Sequence, residues 1–172
     1  MIPKIKNVLY ATDLSKNSAY AFRYAVNTAQ KHDAKIHILH VIEPISPQAR
    51  AQVLMFVQEE KLDKLHQDHK EDLRRRIVER VQKFAERELK DDPETLKRVV
   101  GIHVVEGDPA TVILTKTDKL GCDTIIMGTH GKGAISHTLL GSVSERVLRR
   151  VHKPVYIIPL PQGETDITLG EM

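Results

Sequence analysis

Two rhythms of apolar and polar positions alternate along the chain. One consists of short apolar runs: residues 5–10 with Val8, Leu9 and Tyr10; 34–41 with Ile36, Ile38, Leu39 and Val41; 98–105 with Val99, Val100, Ile102, Val104 and Val105; 122–127 with Ile125, Ile126 and Met127; and 154–159. Their β-branched and aromatic content marks strands. Apolar residues on both parities are the pattern of strands covered on both faces, which implies parallel pairing. Between the runs the spacing turns helical. Ala21, Phe22, Ala25, Val26 and Ala29 predict a helix over 16–31, opened by Ser15 as its cap. Asp108 before Pro109 is an N-cap residue before a proline at the first helical position, and Gly121 stands where a left-handed cap would follow Leu120. Val143, Val147, Leu148 and Val151 predict a last helix over 141–151.

The order β-α-β-α-β-α-β-α-β predicts an α/β fold: a five-stranded parallel sheet with helices on both faces, because each parallel connection needs a right-handed crossover. Ligands of such open sheets bind beyond the carboxyl ends of the strands, where strand order reverses. The residues just after strands one, two and four are therefore the ones to inspect.

The connection after strand two, residues 44–97, is far longer than a crossover requires and reads as a helical insertion within one domain spanning 1–160, with 161–172 as a C-terminal tail. Leu62, Leu65, Leu73, Ile77, Val81 and Phe84 form one apolar stripe at mostly three- or four-residue spacing, so a long amphipathic helix is expected. From 59 to 98 there are 12 acidic and 12 basic residues, so the polar faces are dense in charge yet locally neutral. The stripe suits packing on the protein's own sheet; a surface for a protein partner is the alternative. Pro44, Ile45, Ser46 and Pro47 read as a loop, and the run Val53 to Val57 is apolar enough to be expected to cover another surface. Because the insertion leaves from the ligand end of strand two, residues 47–89 are expected to lie over the cleft mouth, as a lid, or to project from it as an arm toward a second subunit.

Composition narrows the function classes. The 172 residues carry 26 Lys+Arg against 23 Asp+Glu, a formal charge of +3, with 4% aromatic residues and no Trp. A nucleic-acid binder that stacks bases over a basic surface would look different, so no nucleic-acid partner is expected. The longest apolar run, Val53 to Val57, falls far short of the roughly 20 residues of a membrane span, and the start lacks the apolar core of a secretory leader. No membrane partner and a cytoplasmic location are the expectations. The lone Cys122 excludes an intrachain disulfide and reads as a small buried hydrophobe. His66 and His69 share a helical face with Asp63, but that face belongs to the charged insertion, so no metal site is expected.

The chemistry concentrates after strand four. Met127 leads into Gly128-Thr129-His130-Gly131-Lys132-Gly133, and Gly141-Ser142-Val143 opens the last helix, giving the spacing G-x2-G-x9-G-S. Gly128 and Gly131 let the backbone turn and approach a ligand with no Cβ in the way. Gly141, Ser142 and Val143 would offer amides at a helix start, where an anion is favoured, and the Ser142 hydroxyl can add a hydrogen bond. His130 or Lys132 could screen the charge. Neither a Walker loop nor a dinucleotide fingerprint is present. Ala11, Thr12 and Asp13 after strand one and Val41 at the end of strand two share this sheet edge, and together they outline a nucleotide-sized cleft. Asp13 itself can be a ribose ligand, a metal ligand or a turn residue.

On the strand-one ending Ala11-Thr12-Asp13-Leu14-Ser15, Val41, Gly107-Asp108-Pro109 and the G-x2-G-x9-G-S element, the chain from Lys4 to Pro159, apart from the enlarged segment after strand two, resembles the universal stress proteins of the ATP-binding type. That resemblance implies a Rossmann-like fold of the adenine nucleotide alpha hydrolase-like kind. It implies a regulatory role in stress survival, with Ala11, Thr12, Asp13 and Val41 bordering adenine and ribose. Met127, Gly128, Gly131, Gly141, Ser142 and Val143 would border ribose and phosphates. It also implies a homodimer built through the fifth strands, Val155, Tyr156, Ile157 and Ile158. ATP or AMP is then the expected cofactor, and any magnesium would be carried by the phosphates, since that ion keeps waters and takes few protein ligands. No residue set demands catalysis. A slow ATPase, or a partner-binding module with an empty cleft, are the alternative functions. A phospho-acceptor receiver fails on order, because Lys153-Pro154 precedes the fifth strand and strand three ends in Val105-Glu106-Gly107 without an acceptor Asp.

Overall fold

The structure, a computed structural model, describes residues 2–56, 58–129 and 140–159. Five strands, β1 (Asn7–Thr12), β2 (Lys35–Ile42), β3 (Val99–Glu106), β4 (Thr124–Gly128) and β5 (Val155–Ile158), form one parallel sheet in the order β3-β2-β1-β4-β5. Among the described residues, six helices connect or flank them: α1 (Lys16–His32), α2 (Pro47–Leu54), α3 (Glu59–Glu88), α4 (Pro93–Leu96), α5 (Pro109–Lys119) and α6 (Ser142–Leu148). Strand order reverses between β1 and β4, so a crevice opens there beyond the strand ends.

Both faces of the sheet are buried, as apolar residues on both parities require. Val8, Tyr10, Ile36, Ile38 and Ile126 point to the layer of α1 and α3, where Phe22, Ala25, Val81 and Phe84 meet them. Leu9, Ala11, Leu39, Ile125 and Met127 point to the other layer, against Ala110 and Ile113 of α5 and Val147 of α6. Each fully buried Leu or Ile contributes on the order of 1.5–3 kcal/mol. Tyr10, Phe22 and Phe84 stack in series with centroids 5.3 Å apart at each step, tying β1, α1 and α3 together. The Tyr10 hydroxyl donates to the Ser18 carbonyl, which satisfies a phenol whose burial drives its pKa well up. Cys122 is buried, and burial raises its thiol pKa to about 11.

The capping residues act as their chemistry dictates. Ser15 accepts the Ser18 amide at the start of α1, and Asp108 accepts the Thr111 amide at the start of α5. Gly121 takes φ +60 just after α5. The structure corrects the sequence reading at two places in the insertion. The apolar run from Val53 does not cover a surface: Met55 and Phe56 are 80% and 88% exposed, and α2 buries no residue. Pro47, read as the end of the loop, instead opens the helix 47–54, which is part of the helical insertion expected, with Ser46 accepting the Ala49 amide. Val57 lies outside the described residues, as do the side chains of Leu62 and Leu65 and the tail 161–172.

Candidate functional site

The turn from β1 into α1 is built from side chains that hold its own backbone. Thr12 Oγ1 accepts the Leu14 amide at 3.0 Å and stands 2.9 Å from Ser18 Oγ; Asp13 Oδ1 accepts the Ser15 amide at 3.0 Å. These bonds fix Leu14 at φ 64, a left-handed conformation that costs a non-glycine residue roughly 1–2 kcal/mol. The Asp13 carboxylate thus serves the turn with one oxygen while the residue itself lines a cavity.

That cavity, about 620 Å³, sits beyond the ends of β1, β2 and β4. It gathers Ala11, Thr12 and Asp13 from β1 and its turn, Val41 from β2, Met127 and Gly128 from β4, and Gly141, Ser142 and Val143 from the start of α6. His130 and Gly131 lie outside the described residues. Its volume falls within the range typical of small-molecule sites. A shallower depression of about 390 Å³ along α3, lined by Arg76, Glu79, Arg80, Lys83, Phe84 and Arg87, involves none of the strand ends.

One detail of the anion end differs from the sequence reading. The Gly141 amide is not an open donor, because it donates to the Thr129 carbonyl at 2.8 Å. The N-cap Gly141 makes no side-chain hydrogen bond to α6, and Ser142 and Val143 carry amides of its first turn. The Thr129 amide in turn donates to the Ile158 carbonyl at 3.0 Å, and the buried Ser144 hydroxyl donates to the Gly128 carbonyl at 2.9 Å. The start of α6 is therefore stitched to the ends of β4 and β5. Behind the wall, Asn17 donates to the Ile158 carbonyl and accepts from Thr129 Oγ1, both at 3.3 Å.

Further lining comes from residues that the sequence did not assign to the cleft: Ser18, Ile42, Glu43, Leu73, Ile77, Pro109, Ile113 and Ser144. His40 also lines the cavity, and its Nδ1 is 2.8 Å from the Thr12 carbonyl, which can only accept, so that nitrogen carries the proton. Beside the mouth, Arg146 of α6 bonds both oxygens of Asp108, each at 2.7 Å. The Thr111 hydroxyl and that guanidinium hold the Asp108 carboxyl down at about 2. Among the described residues there is no cluster of three or more His, Cys, Asp or Glu placed to hold a metal, and no helix long and apolar enough to cross a membrane.

An open parallel sheet of order 3-2-1-4-5 with a cavity at its switch point defines a doubly wound α/β protein with a ligand cleft. Residues 4–159 match the model of the universal stress protein family, and the chain belongs to that family. It is 30% identical to Universal stress protein MJ0531 of Methanocaldococcus jannaschii over 161 residues, covering 92% of this chain and 85% of that protein. It is 29% identical to Universal stress protein MJ0577 of the same organism over 153 residues, covering 89% and 94%. The solved structure of MJ0577 superposes with a TM-score of 0.69 at 26% identity, covering 94% of this chain and all of that one. A universal stress protein solved in complex with cAMP shares the fold, with a TM-score of 0.52 at 21% identity, covering 91% of this chain and 98% of its own.

Proposed function

We propose that this protein is an adenine-nucleotide-binding regulatory module of the stress response, with ATP or AMP in the cavity at the switch point. The observation that carries this reading is that one cavity collects the ends of β1, β2 and β4 and the start of α6. Those are the places where a base, a ribose and phosphates need different chemistry. Asp13 is the ribose-side acceptor, the backbone near Val41 faces the base, and the Ser142 and Val143 amides with the Ser142 hydroxyl take phosphate oxygens. Gly141 contributes by lacking a Cβ at the N-cap. His130 and Gly131 complete the phosphate side in this reading, and magnesium rides on the phosphates. Family membership supports the stress role, and the cAMP complex of one fold relative supports a nucleotide as the ligand class. Residues 1–160, insertion included, act as one domain, and the protein works in the cytoplasm as a homodimer joined through β5.

The test is the identity of any small molecule released when the purified protein is denatured, followed by calorimetry with ATP and AMP. Ser142→Ala removes one neutral hydrogen bond and is expected to weaken binding roughly three- to tenfold. Gly141→Val is expected to abolish it. A folded Gly141→Val variant with wild-type affinity for ATP would falsify the phosphate site.

A further inference from the structure

The apolar stripe of α3 divides in two. Val81 and Phe84, over the sheet, are 1% and 3% exposed, whereas Leu73 is 46% exposed and lines the cavity, with the half-buried Ile77 between the two groups. Among the described residues nothing gives Leu73 the cover that Val81 and Phe84 have, so a large aliphatic side chain stands half in water on the wall of a ligand-sized cavity. The cavity also has two chemically distinct ends. Gly128, Gly141 and Ser142 come from β4 and the start of α6 on one side of β1; Val41, Ile42, Leu73 and Ile77, with His40 and Glu43 among them, come from β2, the residue after it, and α3 on the other. A phosphate placed against these aliphatic side chains would lose hydration, and the Glu43 carboxylate in the same lining would repel it, whereas a flat, weakly polar ring meets neither cost. Leu73 is carried by a helix rather than a loop. That helix is anchored by the Lys70–Glu106 ion pair to the end of β3 and by the Arg23–Glu88 pair, at 3.2 Å, to α1.

We infer that α3 is part of the binding site, and that Leu73, backed by Ile77, is a specificity-determining residue forming the wall against which a nucleobase packs. This rests on the nucleotide reading above and adds to it the residue that separates a nucleotide from a bare polyphosphate. The insertion thereby senses the base end of the ligand.

Because the chain has no Trp, Leu73→Trp places a unique fluorophore at the proposed contact, and its half-exposed position spares the core. Its emission is expected to change saturably with ATP and with AMP and to stay unchanged with inorganic tripolyphosphate. In a second variant, Leu73→Ala, calorimetry should show ATP binding weakened roughly three- to tenfold, as for removing a few methylene-sized contacts, with tripolyphosphate affinity unaltered. Wild-type affinity for ATP in Leu73→Ala overturns the inference, as does an equal loss for ATP and tripolyphosphate. So does unchanged Trp emission in a Leu73→Trp protein that calorimetry shows to bind ATP. Wild-type protein that binds no ATP overturns the nucleotide reading and this inference with it, so the two failures are told apart by the wild type.

Discussion

A Cβ added to Gly128 would stand 2.6 Å from Asn17 Oδ1 and 2.9 Å from its Cγ, so the last residue of β4 is a glycine because Asn17 needs the space. Asn17 is 7% exposed and holds both the Ile158 carbonyl and Thr129, which leaves its amide little freedom to yield. Gly128→Ala should therefore cost about 1–3 kcal/mol, from overpacking and from buried polar groups losing their partners. Asn17→Ala alone should cost about 1–2 kcal/mol. Urea unfolding of the double variant should show a loss smaller than the sum, because the second change removes the clash of the first. A second residue-scale case lies on β2 and β3. His37 Nδ1 and His103 Nε2 are 3.3 Å apart, so one of these nitrogens must donate and the other accept. Gly101 leaves room for the pair, since a Cβ there would come within 2.8 Å of His103 Nε2. Burial lowers both pKa values, with Lys35 pushing His37 the same way and His37 and Lys116 pushing His103. The unfolded chain then binds more protons below its own histidine pKa, so stability is full above about pH 6.5 and falls as pH drops below it. The slope of unfolding free energy against pH between about 7 and 5 should flatten in His37→Gln. An unchanged slope would place the titration elsewhere.

At the scale of elements, the insertion separates what patterning can and cannot reveal. The spacing of Ile77, Val81 and Phe84 is enough to specify a helix and its inward face, since a 3.6-residue period has one buried side, and α3 runs from Glu59 to Glu88 accordingly. The run from Val53 has no such period, so hydrophobicity alone could not say whether it is covered, and Met55 and Phe56 stand in solvent. Met55→Ser with Phe56→Ser should accordingly leave unfolding free energy within about 0.5 kcal/mol of wild type. Phe84→Ala, which removes the α3 end of the Tyr10–Phe22–Phe84 series, should cost about 3–5 kcal/mol in the same urea titration. The residues that line the cavity divide along the same line. Asp13, Val41, Met127 and Ser142 were legible because they sit at strand ends or helix starts, positions that local spacing marks. Ile113 and Ser144 were not, because they reach the cavity only through the packing of α5 and α6 on the sheet, and the commitment of the Gly141 amide depends on Thr129 in three dimensions. The start of α5 is also latched to the last turn of α6 by Asp108 and Arg146, whose side chains are 40% and 48% exposed, so Arg146→Ala should cost no more than about 1 kcal/mol.

For the molecule as a whole, the two ends of the sheet differ in how they are finished. α3 packs against β3 at one end, whereas β5 at the other is four residues long and bears a 42% exposed Tyr156. A short apolar edge strand is a template for pairing, which proteins cover, blunt or use. The proposed homodimer uses it. The choice of probe follows from burial: Ile158 is 6% exposed and belongs to the core shared by β1, α1 and α3, so a charge there would unfold the protomer and say nothing about assembly. Tyr156 is the better probe. Tyr156→Asp sets a carboxylate on the outer strand, where a paired copy would have to bury it beside its own equivalent. The cost of desolvating two like charges exceeds what a four-residue strand pair can return. Light scattering should then report a dimer mass for the wild type and a monomer mass for Tyr156→Asp, with the far-ultraviolet spectrum and nucleotide affinity retained because Tyr156 is not part of the cavity lining. A Tyr156→Asp protein that keeps a dimer mass would move the subunit interface away from β5.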